Sequence, residues 1–138
     1  MKALALSIVF SSVLVLPSEV AGQAEPANKE HPGVVALSQD GSTGEWAYKS
    51  FPQLTTLYTS QRDARDRSNC DARCSSVWPP LTAAAQDTGK KVGSWTVIQR
   101  SDGKPQWAYK GQPVYLRYHD FPADPHAIEV EGFRPLKP

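Results

Sequence analysis

WTVIQRSDGKPQWAYKGQPVYLRYHD, residues 95–120, is the stretch that decides the fold. Trp95, Val97 and Gln99 alternate with Thr96, Ile98 and Arg100, the period of two of a β-strand. Asp102-Gly103 then signals a hairpin turn, because both residue types tolerate a positive φ. Residues 106–110 return as a second strand, and residues 114–118 form a third that runs into Tyr115-x4-Asp120. Pro105 beside the turn argues for an edge strand or a bulge, since proline has no N–H to give to a ladder.

Much of this pattern stands earlier in the chain, in VVALSQDGSTGEWAYKSFPQLTTLYTSQRD, residues 34–63. Asp40-Gly41 matches Asp102-Gly103, and WAYK from Trp46 matches WAYK from Trp107. Pro52 and Pro113 follow at equal spacing, and Tyr58-x4-Asp63 matches Tyr115-x4-Asp120. Residues 34–37, 46–49 and 57–59 therefore read as strands as well. The expected fold is mainly antiparallel β, two related units (about 34–63 and 95–120) packed as one small domain over residues 33–138.

The segment between the two copies carries different chemistry. Residues 62–71, RDARDRSNCD, alternate in charge with little to bury and read as an exposed loop. Residues 72–77 fit one short helical turn, which must stop before Pro79 because a residue preceding proline avoids the helical region. Residues 83–92 read as a polar connector broken at Gly89.

The N-terminus has a Lys2, an apolar run over residues 3–16, a break at Pro17-Ser18 and small residues at Ala21, Gly22 and Ala24. That is the tripartite pattern of a secretory signal peptide, expected to span residues 1–24. The apolar run is too short to cross a bilayer, which takes about 20 residues. Residues 25–32, EPANKEHP, read as a flexible lead-in, and His31 within it is assigned no role. Without Lys2 and Glu19, the 15 basic and 14 acidic residues reduce to a balance of +1. Such neutrality gives no electrostatic reason for nucleic-acid or anionic-membrane binding. The mature chain is expected to be exported, with no membrane span, no lipid anchor and no cofactor.

The motif order Tyr58-x4-Asp63, Cys70-x3-Cys74, Trp78-Pro79-Pro80-Leu81, Trp95-x-Val97-Ile98, Asp102-Gly103, Gln106-Trp107-Ala108-Tyr109, Tyr115-x4-Asp120 resembles the bacterial family of predicted secreted lipoproteins with a repeated Tyr-x4-Asp motif. The resemblance covers most of the mature chain and implies an exported bacterial repeat protein; it assigns no activity. This sequence departs from the family twice. It lacks the cysteine that anchors many relatives to lipid, and Asp124-Pro125-His126 stands near where relatives carry a Gly-Asp-Gly-type stretch.

Cys70 and Cys74 are the only cysteines, and export makes a disulfide between them the default. Their spacing is x3, against the x2 of thioredoxin-like redox pairs; Ser75 follows where attached haem needs a histidine. In Tyr-x4-Asp the residue types suit acid–base chemistry, but five positions along a strand point to opposite faces. Asp63 and Asp120 are therefore expected to accept backbone hydrogen bonds in the turns that follow their strands. Tyr58, Trp78, Trp107, Tyr109 and Tyr115 are expected to be structural, because buried rings of this size dominate a small core. His119, Asp120, Asp124 and His126 are the residues that could ligate a transition metal, but the expectation is a solvated loop with no metal.

The leading functional expectation is a non-catalytic binding or structural module of the bacterial periplasm or exterior, its partner an envelope protein or a small ligand. A metal- or redox-linked accessory protein is the alternative. A hydrolase using Asp63 and Asp120 is the third.

Overall fold

The computed structural model describes residues 24–27, 30–41, 43–118 and 131–138. The chain is mainly β: the described residues form eight strands in two antiparallel sheets and one short helix. β1 (Val35–Gln39) and β2 (Trp46–Ser50) form a two-stranded sheet. β3 (Tyr58–Ser60), β4 (Lys91–Val92), β5 (Trp95–Gln99), β6 (Pro105–Tyr109), β7 (Gln112–Tyr115) and β8 (Phe133–Pro135) form the other, in the order β4-β5-β6-β7-β3-β8. β3, which opens with Tyr58, thus pairs with β7, which ends with Tyr115, and the two tyrosines stand directly opposite each other.

Three of the hairpin turns among the described residues show how their registers are set. In the first hairpin Asp40 accepts from Thr43 N–H through Oδ1 and from Gly44 N–H through its carbonyl. In the second, Gly103 alone takes a positive φ, +79°, and Asp102 Oδ1 accepts from Lys104 N–H. The hairpin expected at Asp102-Gly103 therefore forms, with the glycine supplying its left-handed residue. Lys110 and Gly111, at φ +51° and +81°, turn β6 tightly into β7. Two consecutive left-handed residues match the right-handed twist of the flanking strands.

Pro105 departs from the edge strand or bulge expected of it. It begins β6, which lies between β5 and β7, rather than an edge strand. The first strand position tolerates the missing N–H, and the Pro105 carbonyl still accepts from Ala83 N–H. Past the Lys110-Gly111 turn β6 and β7 pair only at Ala108–Pro113 and Tyr109–Gln112. Beyond those pairs the connector enters the fork. Leu116 N–H donates to the Pro79 carbonyl, Leu81 N–H to Val114, and Trp107 N–H to the Leu81 carbonyl. Prolines suit this wedge because they bring carbonyls and no orphan N–H.

The core has two parts. In the larger one Tyr48 of β2 meets Trp95 and Tyr109 edge-on, with ring centroids 5.2 and 5.1 Å apart, and so seats the small sheet on the large one. Trp107, Leu57, Val114 and Leu136 complete it. His31 packs edge-on against Tyr48 and Pro32 is buried, so this end of the lead-in joins the fold. The smaller part gathers Tyr58, Cys70, Trp78, Tyr115 and Phe133. Here Trp78 stacks flat on Phe133 at 4.0 Å, with Tyr58 edge-on at 5.1 Å.

Candidate functional site

The site begins where β3 ends. Ser60 Oγ accepts from Arg62 N–H, which turns the chain and presents Asp63 towards β7. Asp63 Oδ1 accepts from Asn69 N–H at 2.7 Å, the backbone bond expected of a turn aspartate. Its Oδ2 accepts from the Tyr115 hydroxyl at 2.6 Å. Strand alternation did not reveal that partner, because it comes from the other motif copy.

The bond continues into a directional chain. Since Tyr115 donates to Asp63, Ser68 Oγ, 2.7 Å away, donates to Tyr115. Ser68 Oγ in turn accepts from Arg100 Nη1 at 2.9 Å. Arg100 and Asp63 are therefore joined through two hydroxyls. The Arg100 side chain is 4% exposed. Nη1 also donates to Gln106 Oε1 at 2.8 Å, and Nη2 donates to the Cys70 carbonyl at 2.7 Å and to Ser75 Oγ at 3.0 Å. Nε lies 3.6 Å from Asp102 Oδ2. Gln106, fully buried, passes its own amide hydrogen to the Val114 carbonyl in the β6–β7 fork. A network satisfied at this many positions fixes a single arrangement of its strands and loop.

Electrostatics follow from this burial. Desolvation raises the Asp63 pKa, opposed by hydrogen bonds from Tyr115 and Asn69 and by the Arg100 charge. Burial and the Asp63 carboxylate push the Tyr115 hydroxyl well above the ordinary phenol range, so it stays protonated and acts as the donor. In the larger core, burial and Tyr109 push Tyr48 up to about 12.

α1 (Ala72–Val77) occupies the residues expected of it. It begins because Asp71 Oδ1 caps the N–H of Cys74, and it stops at Trp78 before the two prolines. Cys70 and Cys74 are bonded, with Cα atoms 5.2 Å apart. A cleft of about 450 Å³ opens beside this loop. Its walls carry Arg62, Arg73, Asp71, Glu131, Asp63 and the disulfide. Glu131 Oε2 accepts from Trp78 Nε1 at 3.4 Å, and the Arg117 guanidinium lies 5.6 Å from the Trp78 ring.

The other expected site residues fall into place around these. Tyr58 and Trp78 are core residues of the smaller cluster, Trp107 and Tyr109 of the larger. Asp120, and with it His119, Asp124 and His126, lies outside the described residues, as do residues 1–23. Among the described residues no group of three His, Cys, Asp or Glu gathers as a metal site. No helix among them is long and apolar enough to cross a membrane. Arg100, Ser68, Ser75 and Gln106 escaped sequence reading. The one available signal was Gln106, a polar residue at the start of the apolar run Gln106-Trp107-Ala108-Tyr109.

No family model, no curated protein and no solved structure matches this chain.

Proposed function

We propose that the chain is an exported protein of the bacterial envelope that binds a small anionic ligand in the cleft beside the disulfide loop and catalyses no reaction on it. One contrast carries this reading. Each carboxylate in the cleft wall is already held: Asp63 by Tyr115 and Asn69, Asp71 by the Cys74 N–H, Glu131 by Trp78. The guanidiniums of Arg62 and Arg73 make no ion pair or side-chain hydrogen bond with the described residues. An arginine pair suits carboxylate or phosphate groups, which it meets with paired, charge-assisted hydrogen bonds. A carboxylate whose two oxygens are both engaged is poorly placed to act as a general base, which supports binding over hydrolysis at Asp63. Export is supported by the disulfide, which persists in oxidising compartments, and by the signal-peptide pattern of the N-terminus.

Thermal melting with a panel of acidic sugars, organic phosphates, zinc and copper tests the proposal. A bound ligand raises the melting temperature by mass action. The expected result is a rise with an anionic compound that disappears in the Arg62→Ser/Arg73→Ser double variant. A rise with zinc or copper, lost when His119 and His126 are replaced, would favour the metal-accessory alternative instead.

A further inference from the structure

The environment of the disulfide is uneven. Cys74 is half-buried in the cleft wall, whereas Cys70 is 6% exposed and packed in the smaller core. Both cysteines line the cleft, and Cys74 is the more exposed of the two, so a nucleophile arriving there meets it more readily. Cys70 is backed by a buried cation. Ser75 Oγ lies 3.7 Å from Cys70 Sγ and 3.0 Å from Arg100 Nη2. Arg100 therefore polarises a hydroxyl whose hydrogen is free to point at the sulfur. The guanidinium also holds the Cys70 carbonyl. Its nearest carboxylate contact, Asp102, is half-exposed at 3.6 Å, and Asp63 stands two hydroxyls away. A negative charge formed on Cys70 would meet an incompletely balanced buried cation. The group set against it is the Trp78 carbonyl at 3.9 Å, farther than the Ser75 hydroxyl.

From this asymmetry we infer that the Cys70–Cys74 disulfide is exchange-competent: a dithiol reductant attacks Cys74, and Cys70 is the leaving sulfur. The thiolate of the dithiol forms a bond to Cys74 Sγ. The Cys70–Cys74 bond breaks and its electron pair goes to Cys70, whose thiolate accepts a hydrogen bond from Ser75 beside Arg100. The second thiolate of the dithiol then attacks its own partner sulfur in the mixed disulfide and expels Cys74, which takes a proton from water. The protein gains two electrons, and the dithiol is oxidised to its disulfide. A cation and a hydroxyl at the leaving sulfur stabilise its thiolate, which both speeds the first step and favours the reduced protein. The inference is independent of which ligand the cleft binds, since it rests on the sulfurs and the Arg100 network alone.

The test treats the folded protein with glutathione, traps the released thiol with N-ethylmaleimide and maps both adducts by peptide mass. It then equilibrates wild type, Ser75→Ala and Ser75→Thr with reduced and oxidised dithiothreitol under native conditions, with near-ultraviolet circular dichroism reporting the fold. The expected result is glutathione on Cys74 and maleimide on Cys70. Ser75→Ala should lower the equilibrium constant for reduction by about tenfold, the weight of one hydrogen bond to a charged group. Ser75→Thr, which keeps the hydroxyl, should restore it. Glutathione on Cys70, or a Ser75→Ala constant within twofold of wild type, would overturn the inference. So would resistance of the folded protein to excess dithiothreitol.

Discussion

The Tyr115 hydroxyl donates to Asp63 Oδ2 at 2.6 Å, so the tyrosine of one Tyr-x4-Asp motif closes on the aspartate of the other. This bond ties β7 to the loop that leaves β3, across 52 positions of sequence. Tyr115→Phe and Asp63→Asn should each destabilise the fold by about 1–3 kcal/mol near pH 5, the scale for a hydrogen bond involving a charged group. Because the two residues touch, the double variant should lose less than the sum. Urea unfolding of the four proteins measures the coupling. Additive losses would mean that the bond contributes nothing of its own.

The raised pKa of Asp63 fixes the sign of a pH effect. A carboxyl whose folded pKa lies above its unfolded value binds protons more tightly when folded. Its stabilising contribution is fully present below the unfolded pKa, about 3.9, and is lost as pH rises through the folded value. The stability gap between wild type and Asp63→Asn should therefore narrow as pH increases from about 3 to about 7. Asp87 and Asp102, whose pKa values are lowered by Lys90 and by the Lys104 N–H, act with the opposite sign but are common to both proteins and cancel. A gap that widens with pH would show that the hydrogen bonds to Asp63 outweigh its desolvation.

β2 was legible because Tyr48 and Ser50 are buried while Ala47 and Lys49 are less so, and period-two alternation reports that difference. Residues 34–37, 46–49 and 95–100 were read as strands, and β1, β2 and β5 fall there within two residues at each end. The end of α1 was legible from Pro79, whereas its start at the Asp71 cap was not read. The polar connector over 83–92 hid a single 3-10 turn at Ala85–Asp87 and the two-residue β4, elements too short to carry a period. Arg100 was illegible for a different reason. Beside Ser101 and Asp102 it looks like any solvated turn residue, and only the return of the 68–75 loop buries it. The Asp63–Tyr115 bond was hidden likewise, since a pairing between motif copies is set by how β3 and β7 meet, not by spacing within either.

The disulfide closes a loop of about five residues, so the chain-entropy model gives it about 2 kcal/mol. Cys70→Ala/Cys74→Ser should lower stability by about that amount and leave a folded protein, as judged by urea unfolding and tryptophan fluorescence. An unfolded double variant would mean that the loop is a foundation of the smaller core.

Gly111 sits at φ +81°, and a Cβ there would lie 2.9 Å from Arg65 Cγ. Arg65 is largely exposed and can swing away, so the steric part is cheap. What remains is the left-handed backbone, worth roughly 1–2 kcal/mol for a residue with a Cβ. Gly111→Ala should cost that much, and adding Arg65→Ala should recover little of it. Full recovery would put the cost in the contact instead.

Arg100→Ala should be the most damaging single change in the site. It removes the donors of Ser68 Oγ, Gln106 Oε1, the Cys70 carbonyl and Ser75 Oγ together. Of these, Gln106 is fully buried and has no water to replace the lost bond. Asp63 also loses a favourable charge while remaining desolvated. Stranding such groups costs about 1–3 kcal/mol each at worst, and breaking a buried charged network about 3–5 kcal/mol as a whole. Against a total stability of about 5–15 kcal/mol, that is a large share. Arg100→Lys keeps the charge but offers one ammonium where a planar fork reached both the Cys70 loop and Gln106, so it should recover only part of the loss. Denaturant midpoints of wild type, Arg100→Lys and Arg100→Ala should fall in that order. Equal midpoints for the two variants would show that the guanidinium's shape, with no help from its charge, holds the loop against β5 and β6.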